Sequence, residues 1–325
     1  MTYATAFTTD ILSGPNGSFS ATVSSLEPST KYYYQAFMTV SDGNGGYTEI
    51  TSTTIGSFTT SAHNNTSTPQ WMELPAMSPS DGCTFYAHDL SGAEYVSRSQ
   101  SGYRNWSCYW SPTHKVSYWV AYPMFDEVNE VNVSRKDAFG YDPIVPKSEQ
   151  PNLGSNTYAN SSGYSYSRGH QIPSADRLSS ANANKTTFYA TNMTPQIQSF
   201  NGGVWEHLES AVNNWAQASD TLYVVTGCIV DSNCWTTTDN SGNATVTVPS
   251  HYYKALLRVK NGSYTGCAFY LDHFGTYASE STNYETGRKT IAQLEALTGI
   301  DFFPNLISKV GSSQAATIES TSTSW

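Results

Sequence analysis

Residues 222–230, Leu-Tyr-Val-Val-Thr-Gly-Cys-Ile-Val, constrain the fold of this chain more than any other stretch. An apolar, β-branched run of that length reads as a fully buried strand, one that other elements must cover. Val116-Ser117-Tyr118-Trp119-Val120-Ala121-Tyr122 reads as another apolar, aromatic strand, and residues 245–259 carry two more strand-like runs around Pro249. Val204, Leu208, Val212 and Trp215 recur at helical spacing, which predicts an amphipathic helix over 203–218. A shorter helix is predicted over 289–297, ahead of Gly299. Strands dominate and helices cover at least one face, so the fold class is α+β.

The first 60 residues read differently. Ser18–Val23 alternates as a strand, Leu26-Glu27-Pro28-Ser29-Thr30-Lys31-Tyr32 turns into a second, and Asp42-Gly43-Asn44-Gly45-Gly46 marks a hairpin turn before a β-branched run from Thr51 to Thr60. The Leu-x-Pro-x-Thr-x-Tyr spacing resembles the corner of a fibronectin type III domain, which needs about 90 to 100 residues. Residues 1–60 therefore read as a partial sandwich of that type, 61–70 as a polar linker and 71–325 as the main domain. The expectation is that the chain begins mid-protein or after a removed leader.

Only 13% of residues are charged while aromatics reach 14%, the composition of an ordered, β-rich, extracellular-type protein. No apolar run approaches the ~20 residues that span a bilayer. The net charge of −10 runs against the basic footprint of a nucleic-acid binder. Binding of that kind would rest on a local positive strip, with Arg135, Arg168 and Arg177 as candidates, and would be salt-sensitive. The five cysteines, at 83, 108, 228, 234 and 267, show no paired metal-site spacing. They are expected to form one or two disulfides in a secreted, periplasmic or cell-surface protein, with Cys83 to Cys108 and two of the other three as the working pairing.

Chemistry concentrates between 167 and 209. Ser167-Arg168-Gly169-His170-Gln171 is followed by Asn192-Met193-Thr194-Pro195-Gln196, then by Asn201-Gly202-Gly203-Val204-Trp205-Glu206-His207-Leu208-Glu209. This stretch supplies an imidazole base, a guanidinium, a carboxamide able to hold a hard cation, and a carboxylate. Cutting a phosphodiester with one metal ion needs those four groups. Arg-Gly-His, Asn-x-x-Pro-Gln and Asn-x-Gly-x-Trp-x-x-Leu-Glu together resemble the DNA/RNA non-specific endonucleases, the ββα-metal group of Serratia-type secreted nuclease and mitochondrial endonuclease G. Tyr118–Tyr122, Leu222–Gly227, Val248–Lys254 and Ile300–Pro304 extend the likeness to roughly residues 70–311. The resemblance implies a ββα-metal nuclease domain whose central antiparallel sheet is flanked by helices. It also implies a Mg²⁺-dependent enzyme, with Mn²⁺ as the alternative ion, that hydrolyses DNA and RNA and leaves 5′-phosphate ends.

Each site residue also has its own chemistry. His170, with an unperturbed pKa near ~6.5, can take a proton from water, and the family places the general base there. Arg168 lies two residues earlier, on the same face of an extended segment, and suits phosphate; a structural ion pair is the equal alternative. Asn201 is implied to be the metal's sole direct protein ligand, and it can also cap the following helix. Glu209 follows about two helical turns later, on a similar side, and is implied to order the ion's hydration shell. Asn192 joins the substrate-binding set by resemblance, as a residue that fixes the loop; the sequon it opens reads as accidental. Arg135, in a less specific context, matches a phosphate-binding arginine of the family. Two positions depart from the pattern: Ser167 stands where the family has Asp, and Asn213 where a second arginine often lies.

Two other readings stand beside the nuclease. One is a catalytically impaired nuclease fold acting as a nucleic-acid or surface binding module, which the net charge, Ser167 and Asn213 favour. The other is an adhesion protein whose N-terminal segment sets its function.

Overall fold

The computed structural model describes residues 31–44, 46–59, 70–77, 82–90, 103–154, 157–239 and 241–325. Contacts group the chain into two units, Met1–Thr68 and Pro69–Trp325. In the first, β1 (Lys31–Ser41) and β2 (Tyr47–Thr59) pair antiparallel. The turn between them forms as expected, because Asp42 Oδ1 accepts the N–H groups of Asn44 at 2.8 Å and Gly46 at 2.9 Å. The strand expected at 18–23, the corner before Lys31 and most of the 61–70 linker lie outside the described residues.

The strands of the second unit are β3 (Thr84–Leu90), β4 (Tyr103–Ser111), β5 (Val116–Met124), β6 (Tyr166–His170), β7 (Met193–Ile197) and β8 (Thr221–Ile229), followed by β9 (Trp235–Thr238), β10 (Thr245–Val248), β11 (His251–Lys260), β12 (Ser263–Asp272) and β13 (Arg288–Lys289). Its helices are α1 (Asp126–Asn129), α2 (Ala181–Thr186), α3 (Gln198–Phe200), α4 (Glu206–Gln217), α5 (Ile291–Thr298), α6 (Ile307–Val310) and α7 (Ser312–Glu319). Seven strands make one antiparallel sheet in the order β13-β12-β11-β8-β5-β4-β3.

Alternation along each strand sends side chains to two separate cores. Val120, Tyr122, Val224, Tyr252 and Leu256 join the core that contains Leu208 and Val212 of α4. Trp119, Ala121, Val225, Tyr253 and Leu257 join the other, with Leu294 of α5, Phe302, Phe303 and Ile318 of α7. Both faces of β5 and β8 are covered, which is why their sequences read as unbroken apolar runs. Close strand packing also sets Gly227: a Cβ there would lie 2.4 Å from the Tyr118 carbonyl oxygen. The helix predicted over 289–297 is α5, which begins at a Thr290–Gln293 capping box and ends where Gly299 turns left-handed at φ 71°.

The two cores overturn the expected Cys83–Cys108 disulfide. Cys108 belongs to the core under α4, whereas Cys83 packs against the core on the opposite face. Cys108, Cys228, Cys234 and Cys267 are all thiols. Among the described residues, no helix is long and apolar enough to cross a membrane.

A separate antiparallel ribbon of β6 and β7, continuing into α3 and α4, lies over the first core. Two contacts fix it to the sheet. Tyr252 of β11 donates its hydroxyl to the Pro195 carbonyl at 3.2 Å, and the Ile197 N–H donates to His273 Nε2 at 2.8 Å.

Candidate active site

The β6 strand carries Arg168 and His170 on one side and Gly169 on the other. Gly169 faces the buried Gln196 on β7, where a Cβ would sit 2.3 Å from the Gln196 Oε1. His170 is held between two phenylalanines, edge-on to Phe188 at 5.1 Å and to Phe139 at 6.0 Å between centroids. Each of those rings also carries a guanidinium: Arg168 over Phe139 at 3.4 Å, and Arg135 over Phe188 at 4.9 Å. The imidazole therefore lies between two cation–aromatic pairs.

This arrangement corrects the expectation of an ordinary histidine. Burial pushes the His170 pKa down to about 3, with the Arg135 and Arg168 charges adding to the effect. The ring is neutral at physiological pH, and its Nε2 is buried without a hydrogen-bond partner. Arg135 is steered by Asp137, whose Oδ1 accepts from its Nε at 2.7 Å, and by Ser174, whose Oγ accepts from Nη1 at 2.9 Å. Arg168 donates to the Leu153 carbonyl at 2.8 Å, which ties the strand to the preceding loop.

Asn201 opens a π-helical turn, Asn201–Trp205, with non-helical backbone at Gly202 and Gly203. Neither this turn nor α4 has a side-chain cap, so Asn201 is not the expected N-cap. The turn also means that 201 and 209 do not lie on one continuous α-helix. π-Turns concentrate at functional sites, where they redirect a side chain from the regular spiral.

Glu209 stands one turn of α4 after Trp205. Its Oε1 is buried without a hydrogen-bond partner, as is Trp205 Nε1. Burial pushes the Glu209 carboxyl well above the usual carboxylate range, Asp176 and Glu206 add to this, and Lys254 opposes it. His170 Nε2 and Glu209 Oε1 are unpartnered acceptors, and these, like the Asn201 carboxamide, are groups of the chemistry that suits water and a hard cation. Among the described residues no three His, Cys, Asp or Glu side chains cluster as a metal cage. The donor set therefore fits an ion that keeps most of its waters, as Mg²⁺ does.

Three expected residues have other places. Asn192 is fully buried: its Oδ1 accepts from Ile172 N–H at 2.9 Å, and its Nδ2 donates to Ile172 O at 2.9 Å and Thr187 O at 2.7 Å. It fixes the loop and does not face a substrate, and its sequon is closed to a glycan. Arg177 is also fully buried, donating to Asn105 and to the Pro123 carbonyl, and adds nothing to a surface strip. Asn213 turns inward, its Nδ2 donating to buried Asp176 at 3.0 Å. Ser167 donates to Gln198 Oε1 at 2.5 Å.

Phe139, Phe188, Asp176 and Lys254 shape the site without any local sequence signal for that role. Lys254 lay within a recognised stretch, Val248–Lys254, but nothing in that stretch marks a buried ammonium.

The profile of the DNA/RNA non-specific endonuclease family matches residues 90–309. Nuclease C1 of Cunninghamella echinulata var. echinulata is 31% identical over 188 residues, 55% of this chain and 71% of that protein. Human mitochondrial endonuclease G is 27% identical over 167 residues, 50% of this chain and 56% of that protein. The crystal structure of the EndoG/EndoGI complex superposes with a TM-score of 0.50 at 21% identity, over 64% of this chain and 85% of that one, which speaks for the fold. The half-buried imidazole, the two guanidiniums and the turn that carries Asn201 thus sit in a chain that belongs to the DNA/RNA non-specific endonuclease family, a nuclease with an endonuclease G-like fold.

Proposed function

We propose that this protein is a Mg²⁺-dependent endonuclease that hydrolyses DNA and RNA with little sequence preference and leaves 5′-phosphate ends. The observation that carries this reading is His170: neutral, with an unpartnered Nε2, between Arg135 and Arg168. Nε2 takes a proton from water as the water oxygen forms its bond to phosphorus. The P–O3′ bond breaks, and the 3′-oxygen takes a proton from solvent. The anionic phosphodiester offsets the two guanidiniums and so raises the basicity of His170 when it binds. Arg168 and Arg135 donate to the phosphate oxygens, where charge grows in the transition state.

Asn201 would hold the cation, Mg²⁺ or Mn²⁺, which when bound supplies neutralising charge at the phosphate and the leaving 3′-oxygen. Ionised Glu209 orders hydration around it. Export to the periplasm, cell surface or medium is part of the proposal and rests on composition; the expected disulfides no longer support it.

The test is a time course of supercoiled plasmid and total RNA digestion with Mg²⁺ or with EDTA, wild type beside His170→Ala. Metal-dependent loss of both substrates, slowed at least roughly a hundredfold in the variant, supports the reading. If wild type binds both but cuts neither, the binding-module reading takes over. Asn213 is what favours that second reading, since its side chain is committed to Asp176 where the family often has arginine.

A further inference from the structure

We propose that Tyr164, Trp235 and Phe274 form a stacking platform for an unpaired base of the bound strand, beside β6, which carries Arg168 and His170. The proposal rests on the nuclease reading for the direction in which the strand runs. Trp235 stacks on Phe274 with centroids 4.2 Å apart and planes 24° apart. Tyr164 lies 5.8 Å from Trp235 at 13°, and 6.1 Å from Phe274 at 32°. Trp235 thus stacks on both neighbours, while Tyr164 and Phe274 are tilted to each other. Trp235 is locked in place: its Nε1 donates to the Tyr166 hydroxyl at 2.7 Å, which itself donates to the Ser161 carbonyl at 3.0 Å.

A buried cluster of this kind would be ordinary packing, but Tyr164 is 37% exposed. Among the described side chains of the second unit it is the only aromatic in the exposed class. Its position ties it to the site. Tyr164 lies two residues before β6, the strand that carries Arg168 and His170. Four residues separate Tyr164 from Arg168, about 13 Å at ~3.3 Å per residue, or about four stacked nucleotides at ~3.4 Å each. The Ser165 carbonyl beside Tyr164 accepts from Gln198 N–H at 3.2 Å, where the chain enters the turn that carries Asn201.

Charge selects the base over the phosphate as the occupant. Asp272 lies against the platform, its Oδ1 accepting from Phe274 N–H at 2.9 Å, and its carboxylate disfavours a phosphate there. A chain with net charge −10 also gains less from phosphate neutralisation than a basic nuclease does. Stacking is sequence-tolerant because every base has a π-face. It also demands an unpaired base, so it favours single strands over duplex.

The test uses the whole protein in EDTA and follows anisotropy of a short fluorescein-labelled oligothymidylate and of a duplex of equal length. Tyr164→Ala and Phe274→Ala are expected to weaken single-strand binding roughly tenfold or more, and Tyr164→Phe to bind as wild type. With Mg²⁺, hydrolysis of a thymidine nitrophenyl phosphodiester, which has no flanking base, is expected to stay within about twofold for the same variants. Wild-type oligonucleotide affinity in a folded Tyr164→Ala variant overturns the platform, as does an equal loss on the small diester. If wild type cuts no substrate yet binds the oligonucleotide through Tyr164, the nuclease reading falls and the platform stands.

Discussion

Lys254 holds its ammonium 4.7 Å from the centroid of the Trp205 ring, with Nζ donating to Thr226 Oγ1 at 2.7 Å. The side chain is fully buried in the middle of β11, beneath the helix that carries Glu209. Asp176, held by Tyr122 at 3.1 Å and Asn213 at 3.0 Å, is the second carboxylate that this ammonium serves. Burial drives all three groups toward their neutral forms; Lys254 opposes it at both carboxylates, and the Asn213 and Tyr122 hydrogen bonds oppose it at Asp176. Lys254 is therefore the counter-charge that favours the ionised form of Glu209.

Removing that charge raises Glu209 further, so the ionised form appears only at higher pH. Lys254→Met is expected to lower kcat/KM at neutral pH roughly tenfold or more and to move the acid limb of its pH profile upward. Lys254→Arg keeps the charge and is expected to stay nearer wild type. An acid limb that does not move in Lys254→Met would show that Lys254 only packs.

His170 sets a different pH expectation. Its pKa is lowered to about 3, so the base is present across the working range and contributes no acid limb between pH 5 and 7 in the free enzyme. Burying this neutral ring stabilises the fold fully above about pH 6.5, the unfolded value, and progressively less as pH falls toward 3. His170→Ala is expected to lose roughly a hundredfold or more in rate while unfolding less steeply with acid than wild type does. Thermal melts of both proteins from neutral to acid pH check the second half, and equal acid slopes would refute it.

For Asn201, the expectation concerns the cation. Asn201→Ala is expected to raise the Mg²⁺ concentration for half-activation more than roughly tenfold, with activity approached again at high Mg²⁺. Asn201→Asp, which adds a charged hard ligand, is expected to respond at lower Mg²⁺ than the alanine variant. A half-activation point that Asn201→Ala leaves unchanged would remove Asn201 from the metal site.

Local pattern carried the elements of this fold: the apolar runs of β5 and β8, the helical spacing of α4, and the end of α5 at Gly299. The candidate site residues could be proposed from sequence because His170, Asn201 and Glu209 fall in one stretch of chain. What the sequence hid is long-range. Phe139 and Phe188 bracket His170 from points far apart in the chain, and only the fold brings them to one ring. The low pKa of His170 follows from that enclosure, so no local pattern could announce it. The cysteines show the same limit: Cys83 and Cys108 were the working pair, but they pack into the cores on opposite faces of the sheet.

Asn213 is needed for Asp176. It supplies one of the two side-chain donors to a fully buried carboxylate, and Gln217 donates to its Oδ1 at 2.8 Å. Asn213→Ala strands Asp176 Oδ1 and is expected to cost about 1–3 kcal/mol of stability. Denaturant unfolding measures this directly. A loss below about 0.5 kcal/mol would mean that water replaces the amide.

His273 is expected to act as an acid-sensitive clamp on the ribbon. Its Nδ1 bonds the Pro249 carbonyl at 2.7 Å, and its Nε2 accepts the Ile197 N–H at 2.8 Å, a pair that requires the neutral ring with the proton on Nδ1. Burial pushes its pKa down to about 4. Protonation would set an N–H against the Ile197 N–H, at the end of β7 that leads to Asn201. Because the folded value lies below the unfolded one, the stabilisation is complete above about pH 6.5 and is lost as pH falls through 4. His273→Gln is expected to be less stable than wild type at neutral pH, with the gap narrowing on acidification. Hydrogen exchange at the Ile197 amide gives the local readout: wild-type protection should fall with acid beyond the intrinsic rate change. Protection that holds steady down to pH 4 would show that the clamp does not open.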